Sequence, residues 1–126
     1  MSGLTLDAGA LIALERGSEY MGALLERVLD DEDAVLHVPA GALAQALRNP
    51  ARQARLMRFL GRRQVRVKSL DAAMAYAVGL MLALRDASDV VDASVVICAR
   101  RYSQPVVTSD VKDLRRLDAT VEIFAV

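Results

Sequence analysis

The sequence SDVVDASVVICARRYSQPVVTSD, Ser88 to Asp110, holds a helix, a turn and a strand in one run. Val90, Val91, Val95, Val96 and Ile97 are β-branched, so propensity alone allows a strand there. Length argues for a helix. The apolar segment outruns an ordinary strand, and Val91, Val95, Cys98 and Tyr102 form one stripe at helical spacing. Ser88 or Asp89 can cap it, and Asp92 lies in its first turn, where the helix dipole favours an anion. Val106 to Thr108 then reads as a short strand that ends in Ser109-Asp110. An acid at a helix start and an acid at a strand end meet when both elements belong to one α/β layer.

The N-terminus repeats the strand-then-acid arrangement. Leu4 to Leu6 is strand-like, Asp7 ends it, and Ala8 to Arg16 is helix-compatible. Ser18 can cap a helix over Glu19 to Leu29, whose Met21, Leu24, Leu25 and Val28 recur at i, i+3, i+4 and i+7. Asp30 to Asp33 is an acidic, solvated turn. Val35 to Val38 reads as a second strand stopped by Pro39. Ala42 to Arg48 reads as a short helix ended by Asn49-Pro50, and Ala51 to Leu60 as an arginine-rich helix closed by Gly61. Val65 to Val67 is a third strand, and Asp71 can cap a long helix to Arg85. Val111 to Leu117 and Val121 to Phe124 supply a last helix and strand. Strands alternating with helices predict an α/β fold, a central and mostly parallel sheet of about five short strands flanked by helices. The length suits one domain, residues 1–126.

At 54% hydrophobic and 25% charged the chain is globular rather than disordered. Sixteen basic and sixteen acidic residues cancel, so net charge names no partner. The distribution is less even. Ala34 to Leu70 contains no Asp or Glu, yet carries Arg48, Arg52, Arg55, Arg58, Arg62, Arg63, Arg66 and Lys68. Such a run either steers a nucleic-acid backbone by sequence-independent attraction or is a solvated face. A single cysteine, Cys98, excludes a disulfide framework and a Cys-rich zinc site. No apolar run can span a bilayer and no signal peptide is visible, so a cytoplasmic protein without a membrane role is expected.

In an open α/β sheet, ligands bind beyond the carboxyl ends of the strands. Asp7 and Asp110 each follow a strand, and Asp92 heads a helix that packs on the sheet. These three acids are expected to converge within about 4–8 Å on one divalent metal, as catalytic and metal-holding residues at once. Three carboxylates in one crevice repel unless a cation or protons intervene. Mg²⁺ is hard, octahedral and usually held by few carboxylates plus waters and substrate phosphates. Such an ion activates water and stabilises charge on a phosphodiester, which predicts in-line hydrolysis of that bond. Taken singly, Asp7, Asp89 and Asp110 each read as a helix N-cap before they read as a ligand.

Three blocks, LTLDAGALIAL, VVDASVVICA and PVVTSDVKDL, resemble in order the acidic blocks of PIN domains, and among those the VapC-type toxins of bacterial toxin–antitoxin pairs. The resemblance covers nearly the whole chain. It implies a Mg²⁺- or Mn²⁺-dependent endoribonuclease with an RNA substrate, a homodimer, and inhibition by a small antitoxin protein. It also implies Asp7, Asp92 and Asp110 as the metal-site acids. One position departs from the pattern. The family usually has Glu on the helix after the second strand, whereas PAGALAQALR puts Gln45 there. An amide oxygen can ligate a metal or orient water but brings no charge. The alternative reading is therefore a PIN-like module, catalytically weak or silent, that binds RNA or a protein partner.

Glu15 and Asp89 are the nearest acids by sequence that could replace the missing charge. Gln45, Asp89, Thr108 and Ser109 are candidates for the surroundings of the site, although a strand-end hydroxyl can equally satisfy its own backbone. Arg48, Arg52, Arg55, Arg58 and Arg62 are the candidates for nucleic-acid binding. Asp113 reads as a surface acid beside Lys112 and Arg116, and His37 and Cys98 read as structural. A phosphoacceptor receiver domain fits poorly, because Asp7 has no acidic neighbour and Val67 is followed by Lys68.

Overall fold

The computed structural model describes residues 3–126. The first strand, β1 (Gly3–Leu6), is followed by α1 (Ala8–Glu15) and α2 (Glu19–Leu29). Then come β2 (Val35–Pro39), α3 (Ala40–Ala46), a single 3₁₀ turn (Pro50–Arg52), α4 (Ala54–Leu60) and β3 (Val65–Lys68). The remainder is α5 (Ala72–Arg85), α6 (Val90–Tyr102), β4 (Val106–Thr108), α7 (Val111–Leu117) and β5 (Ile123–Ala125). The strands form one sheet in the order β3-β2-β1-β4-β5. Every pairing is parallel. This is the α/β architecture, a central parallel sheet flanked by helices, that the sequence implies.

Alternation along the strands sorts the core into two layers. Leu4, Leu6, Leu36, Val38 and Val107 pack with α1, α2 and α4 on one face. Val106 packs with α5, α6 and α7 on the other. Helix α6 is the centre of that second layer. Its Ala93, Ser94, Val95, Val96, Cys98 and Ala99 are all buried, so contact extends well beyond one stripe. Burial on several sides is why an apolar, β-branched run holds as a helix: tertiary packing overrides its modest propensity. Asp89 starts it by accepting from the Asp92 N–H at 2.9 Å. Ser103, in the left-handed region at φ 52°, ends it.

Several boundaries differ from the sequence reading. The helix expected over Ala51 to Leu60 is interrupted at Gln53. The Gln53 side chain accepts from the N–H groups of Arg48 and Asn49 and donates to the Ala46 carbonyl. That knot turns the chain between α3 and α4. The Leu56 N–H in the first turn of α4 donates to Glu15 Oε2 at 2.7 Å, a tertiary cap invisible to local sequence. Helix α3 starts at Ala40 and stops at Ala46, two residues before Arg48. Pro39 remains in β2, paired with Lys68, and Lys68 extends β3 beyond Val67. The last strand is Ile123–Ala125, later than the expected Val121 to Phe124, because Ile123 is the residue in register with Val106. Among the described residues no helix is long and apolar enough to cross a membrane.

Candidate active site

The chain leaves β1 toward β2 and β3 on one side and returns through β4 to β5 on the other. The order reverses between β1 and β4, and in open α/β sheets a crevice opens at the carboxyl ends of such a pair. Asp7 follows β1 and Asp110 lies two residues beyond β4. Leu6 is in register with Val107, and the Asp7 N–H donates to the Val107 carbonyl at 3.2 Å. The two strand ends are thus fixed side by side. Gly41, early in α3, brings that helix against the head of α6: a Cβ there would lie 3.0 Å from Val91 Cγ2.

Thr108 ties the strand ends together. Its hydroxyl is fully buried, donates to Asp7 Oδ2 and accepts from the Asp110 N–H at 2.8 Å. Asp7 Oδ1 accepts from the Ala10 N–H at 3.0 Å, so this buried acid also caps α1. Each carboxylate oxygen still has a second lone pair for a ligand. Burial pushes the Asp7 pKa upward, against the hydrogen bonds from Thr108 and Ala10.

Asp110 behaves differently. It is the N-cap residue of α7, yet its side chain makes no capping hydrogen bond. Instead, one carboxylate oxygen from each of Asp92, Asp110 and Asp113 lies within 4.8 Å of the others. Asp92 is half-buried and the other two are exposed. Among the described residues no basic group forms an ion pair with any of them; the ion pair present joins Arg100 to Asp118 at 3.5 Å. Burial raises Asp92 to about 7, with further contributions from Asp89, Asp110, Asp113 and Asp7. Asp110 is raised as well, by desolvation and then by the neighbouring Asp113 carboxylate. Oxygen donors with uncompensated negative charge are the chemistry that a hard dication takes. The donor set therefore fits Mg²⁺ or Mn²⁺.

The raised pKa carries a testable sign. Folded Asp92 holds its proton up to about pH 7, whereas the unfolded chain releases it near 3.8. The associated stability is full below the unfolded value, falls as pH rises and is gone above the folded one. Without divalent ions, thermal stability is expected to drop between pH 5 and pH 8 by roughly 1–2 kcal/mol after solvent screening. Added Mn²⁺ should recover more at pH 8 than at pH 5. Flat melting temperatures across that range, with and without Mn²⁺, would dissociate the cluster from both protons and metal.

The sequence groups Asp7, Asp92 and Asp110; the close triad in the structure is Asp92, Asp110 and the exposed Asp113, and Asp7 is not one of the three. Asp113 belongs to the cluster. The available signal was its spacing from Asp110, three residues along α7, which puts both on one side of the helix start. Asp89 is the N-cap of α6 and lines, with Asp92, Asp113 and Arg116, a neighbouring space of about 200 Å³ that neither Asp7 nor Asp110 lines. Thr108 donates its proton to Asp7, so that proton is not free for a phosphate. Ser109 is exposed and packs against the α1 start, where a Cβ on Gly9 would fall 2.0 Å from its Oγ. Gln45 is exposed on α3, one turn after Gly41. Glu15 caps α4 and is thereby accounted for. His37 is structural, as expected: it stacks on Tyr102 at 3.7 Å and its Nδ1 meets Gln104 Oε1 at 2.9 Å.

The arginines divide. Arg48 donates to the carbonyls of Ala44 and Leu47 and closes α3. Arg55 donates to the Glu15 carbonyl, at the end of α1 away from Asp7, about 12 Å along that helix. Arg55, Arg58 and Arg62 line a groove with Leu25, Leu29 and Phe59 between α2 and α4. Arg52 is exposed on the 3₁₀ turn.

No protein-family model matches the sequence. No curated protein sequence matches it either. Solved structures do. A chain of VapBC2 from Rickettsia felis, crystallised bound to a DNA fragment from its promoter, is similar with TM-score 0.68 and 14% identity, over 98% of both chains. A chain of FitAB bound to an IR36 DNA fragment gives TM-score 0.66 and 16% identity, over 97% of this chain and 94% of that one. A chain of FitAcB from Neisseria gonorrhoeae gives TM-score 0.66 and 18% identity, over 96% of each. At these identities the likeness is one of fold.

Proposed function

We propose that this protein is a divalent-metal-dependent endoribonuclease, the toxin member of a toxin–antitoxin pair. The observation that carries the reading is Asp110. It heads a helix that it does not cap, and its carboxylate is instead clustered with those of Asp92 and Asp113, without a basic partner among the described residues. The missing cap supports a ligand role for Asp110 over a structural one. The similar folds occur in assemblies named for two components, VapBC2 and FitAB, which supports an antitoxin partner for this chain.

Asp92, Asp110 and Asp113 would hold Mg²⁺ or Mn²⁺, with Asp7 tied to the Asp110 backbone through Thr108. A bound ion would supply charge neutralisation and an activated water. The chain's own residues do the positioning. Thr108 locks Asp7 to the Asp110 backbone, and Asp89 fixes the first turn of α6 so that Asp92 faces the crevice. Arg116, which lines a space with Asp92 and Asp113, would meet a phosphate oxygen of the RNA. Asp113 supplies the fourth carboxylate that Gln45 does not.

The test is cleavage of a mixed RNA pool with Mn²⁺ or Mg²⁺, and with EDTA. Metal-dependent cuts that EDTA removes support the nuclease. RNA binding without cleavage in any ion would support the silent module instead. Calorimetric titration of Mn²⁺ into wild type and Gln45→Glu reads the missing charge. A tightening is expected, limited to a few kcal/mol at an effective dielectric near 20. Equal affinities would put Gln45 outside the site.

A further inference from the structure

Strand β3 closes one end of the sheet, and among the described residues no strand pairs with it on its outer side. The Leu36 N–H donates to the Gln64 carbonyl at 2.9 Å, and the parallel register runs on from there to Lys68. In such a ladder alternate residues turn their backbone groups to the neighbouring strand. Gln64, Arg66 and Lys68 therefore turn to β2, and Val67 turns its N–H and carbonyl outward. Side chains alternate as well. Val65 packs with the α1, α2 and α4 layer, and Val67, on the same side, is 46% exposed. Arg66 lies in register with His37, which stacks on Tyr102, and the Lys68 ammonium is 5.4 Å from the centre of that same ring. Both cations thus stand on the α6 side of the edge. Arg62 and Arg63 precede them, and among the described residues no ion pair takes any of the four.

We propose that this edge docks an acidic, extended segment of a partner protein, which adds to the sheet as a further strand beside β3. The outward backbone groups of Val67 hold it, as in other strand additions. The charges choose the occupant. Cations on an edge strand keep like strands apart, so Arg66 and Lys68 exclude a second copy of β3. A segment that alternates Glu or Asp with apolar residues fits instead. Its acids lie beside Arg66 and Lys68, and its apolar side chains lie beside Val67 on the other face. Arg66 gives one N–H to the Arg63 carbonyl and keeps its remaining donors for a carboxylate. The pattern required of the partner is therefore acid and apolar in alternation over about five residues, the length of an ordinary strand. Strand β3 is separated from β1 by β2, and its outer side faces away from the acids beyond β1 and β4. The inference goes beyond the nuclease reading and does not rest on it.

Fluorescence anisotropy of the full chain in EDTA, with a labelled peptide of alternating Glu and Val, is the test. Wild type should bind it with a dissociation constant of about 10–300 μM, and a peptide of alternating Lys and Val at least about thirtyfold more weakly. Val67→Pro removes the outward N–H and leaves the β2 ladder whole, because an edge strand tolerates proline where its nitrogen faces solvent. It should raise the constant at least about tenfold. A Glu–Val peptide with methylated backbone nitrogens tests the same hydrogen bonds without altering the protein, and should not bind. Arg66→Glu should weaken the Glu–Val peptide and strengthen the Lys–Val peptide. No binding of the Glu–Val peptide by wild type up to about 1 mM overturns the proposal. So does binding that both Val67→Pro and backbone methylation leave intact, since charge alone would then hold the peptide. Single-stranded RNA that binds where the peptide does not, and is lost in Arg66→Glu, would make the strip a nucleic-acid contact and overturn it too.

Discussion

Asp110→Asn should lower Mn²⁺ affinity and RNA cleavage by at least about a hundredfold, since even groups behind a metal's direct ligands are worth 10–100-fold. The same variant should leave the metal-free protein as stable as wild type or slightly more so. The Asp110 carboxylate caps nothing and crowds Asp113 and Asp92, which raises the pKa values of Asp92 and Asp110. Removing one charge relieves that repulsion. Opposite signs on binding and stability separate a ligand from a structural acid. Asp89→Ala is the contrast: it deletes the N-cap of α6 and should cost about 1 kcal/mol of stability. If Asp110→Asn melts lower and binds Mn²⁺ as before, Asp110 is structural and the crevice is not a metal centre.

Why the acids were legible follows from topology. Alternating strand and helix patterns imply a parallel sheet, and a parallel sheet brings strand-end residues to one edge. Asp7 and Asp110 were placed there from two apolar runs alone. Their separate roles were not legible. Asp7 is buried and held at both oxygens by Thr108 and Ala10, whereas Asp110 is exposed and faces Asp113. That division depends on the β1–β4 register, which no local pattern encodes. Gln53 and Glu15 make the same point for the fold. Each satisfies backbone groups of another element, so the break before α4 appears only once α1, α3 and α4 have packed. Val65 to Val67 was legible as a strand by its residues, but residues alone do not tell that this strand ends the sheet.

The far edge of the sheet sets the second large effect. Gly3→Ala should destabilise the protein by roughly 3–5 kcal/mol, the range reserved for severe core and backbone conflicts. Gly3 has φ 123°, which an L side chain rarely adopts. An added Cβ would fall 1.9 Å from the Val35 carbonyl oxygen and 2.7 Å from Gln104 Nε2. The first of these is backbone of the adjoining strand and cannot swing aside. Gln104 cannot yield cheaply either. Its Nε2 donates to the Val35 carbonyl, and its Oε1 accepts from Thr5 Oγ1 and meets His37 Nδ1, each at 2.9 Å. This buried hub links β1 and β2 to the residue that leads into β4, so displacing it leaves polar groups without partners in the core. Melting temperature should fall by about 10–20 °C. Mn²⁺ affinity, measured well below the melting point, should stay unchanged, because Gly3 begins β1 and the acids lie beyond its other end. Gly22→Ala supplies the control. Gly22 lies within α2 with nothing near its absent Cβ, and alanine there should stabilise by up to about 1 kcal/mol. Calorimetric melting of both variants decides it: a Gly3→Ala protein as stable as Gly22→Ala would mean that β1 does not meet β2 at Val35.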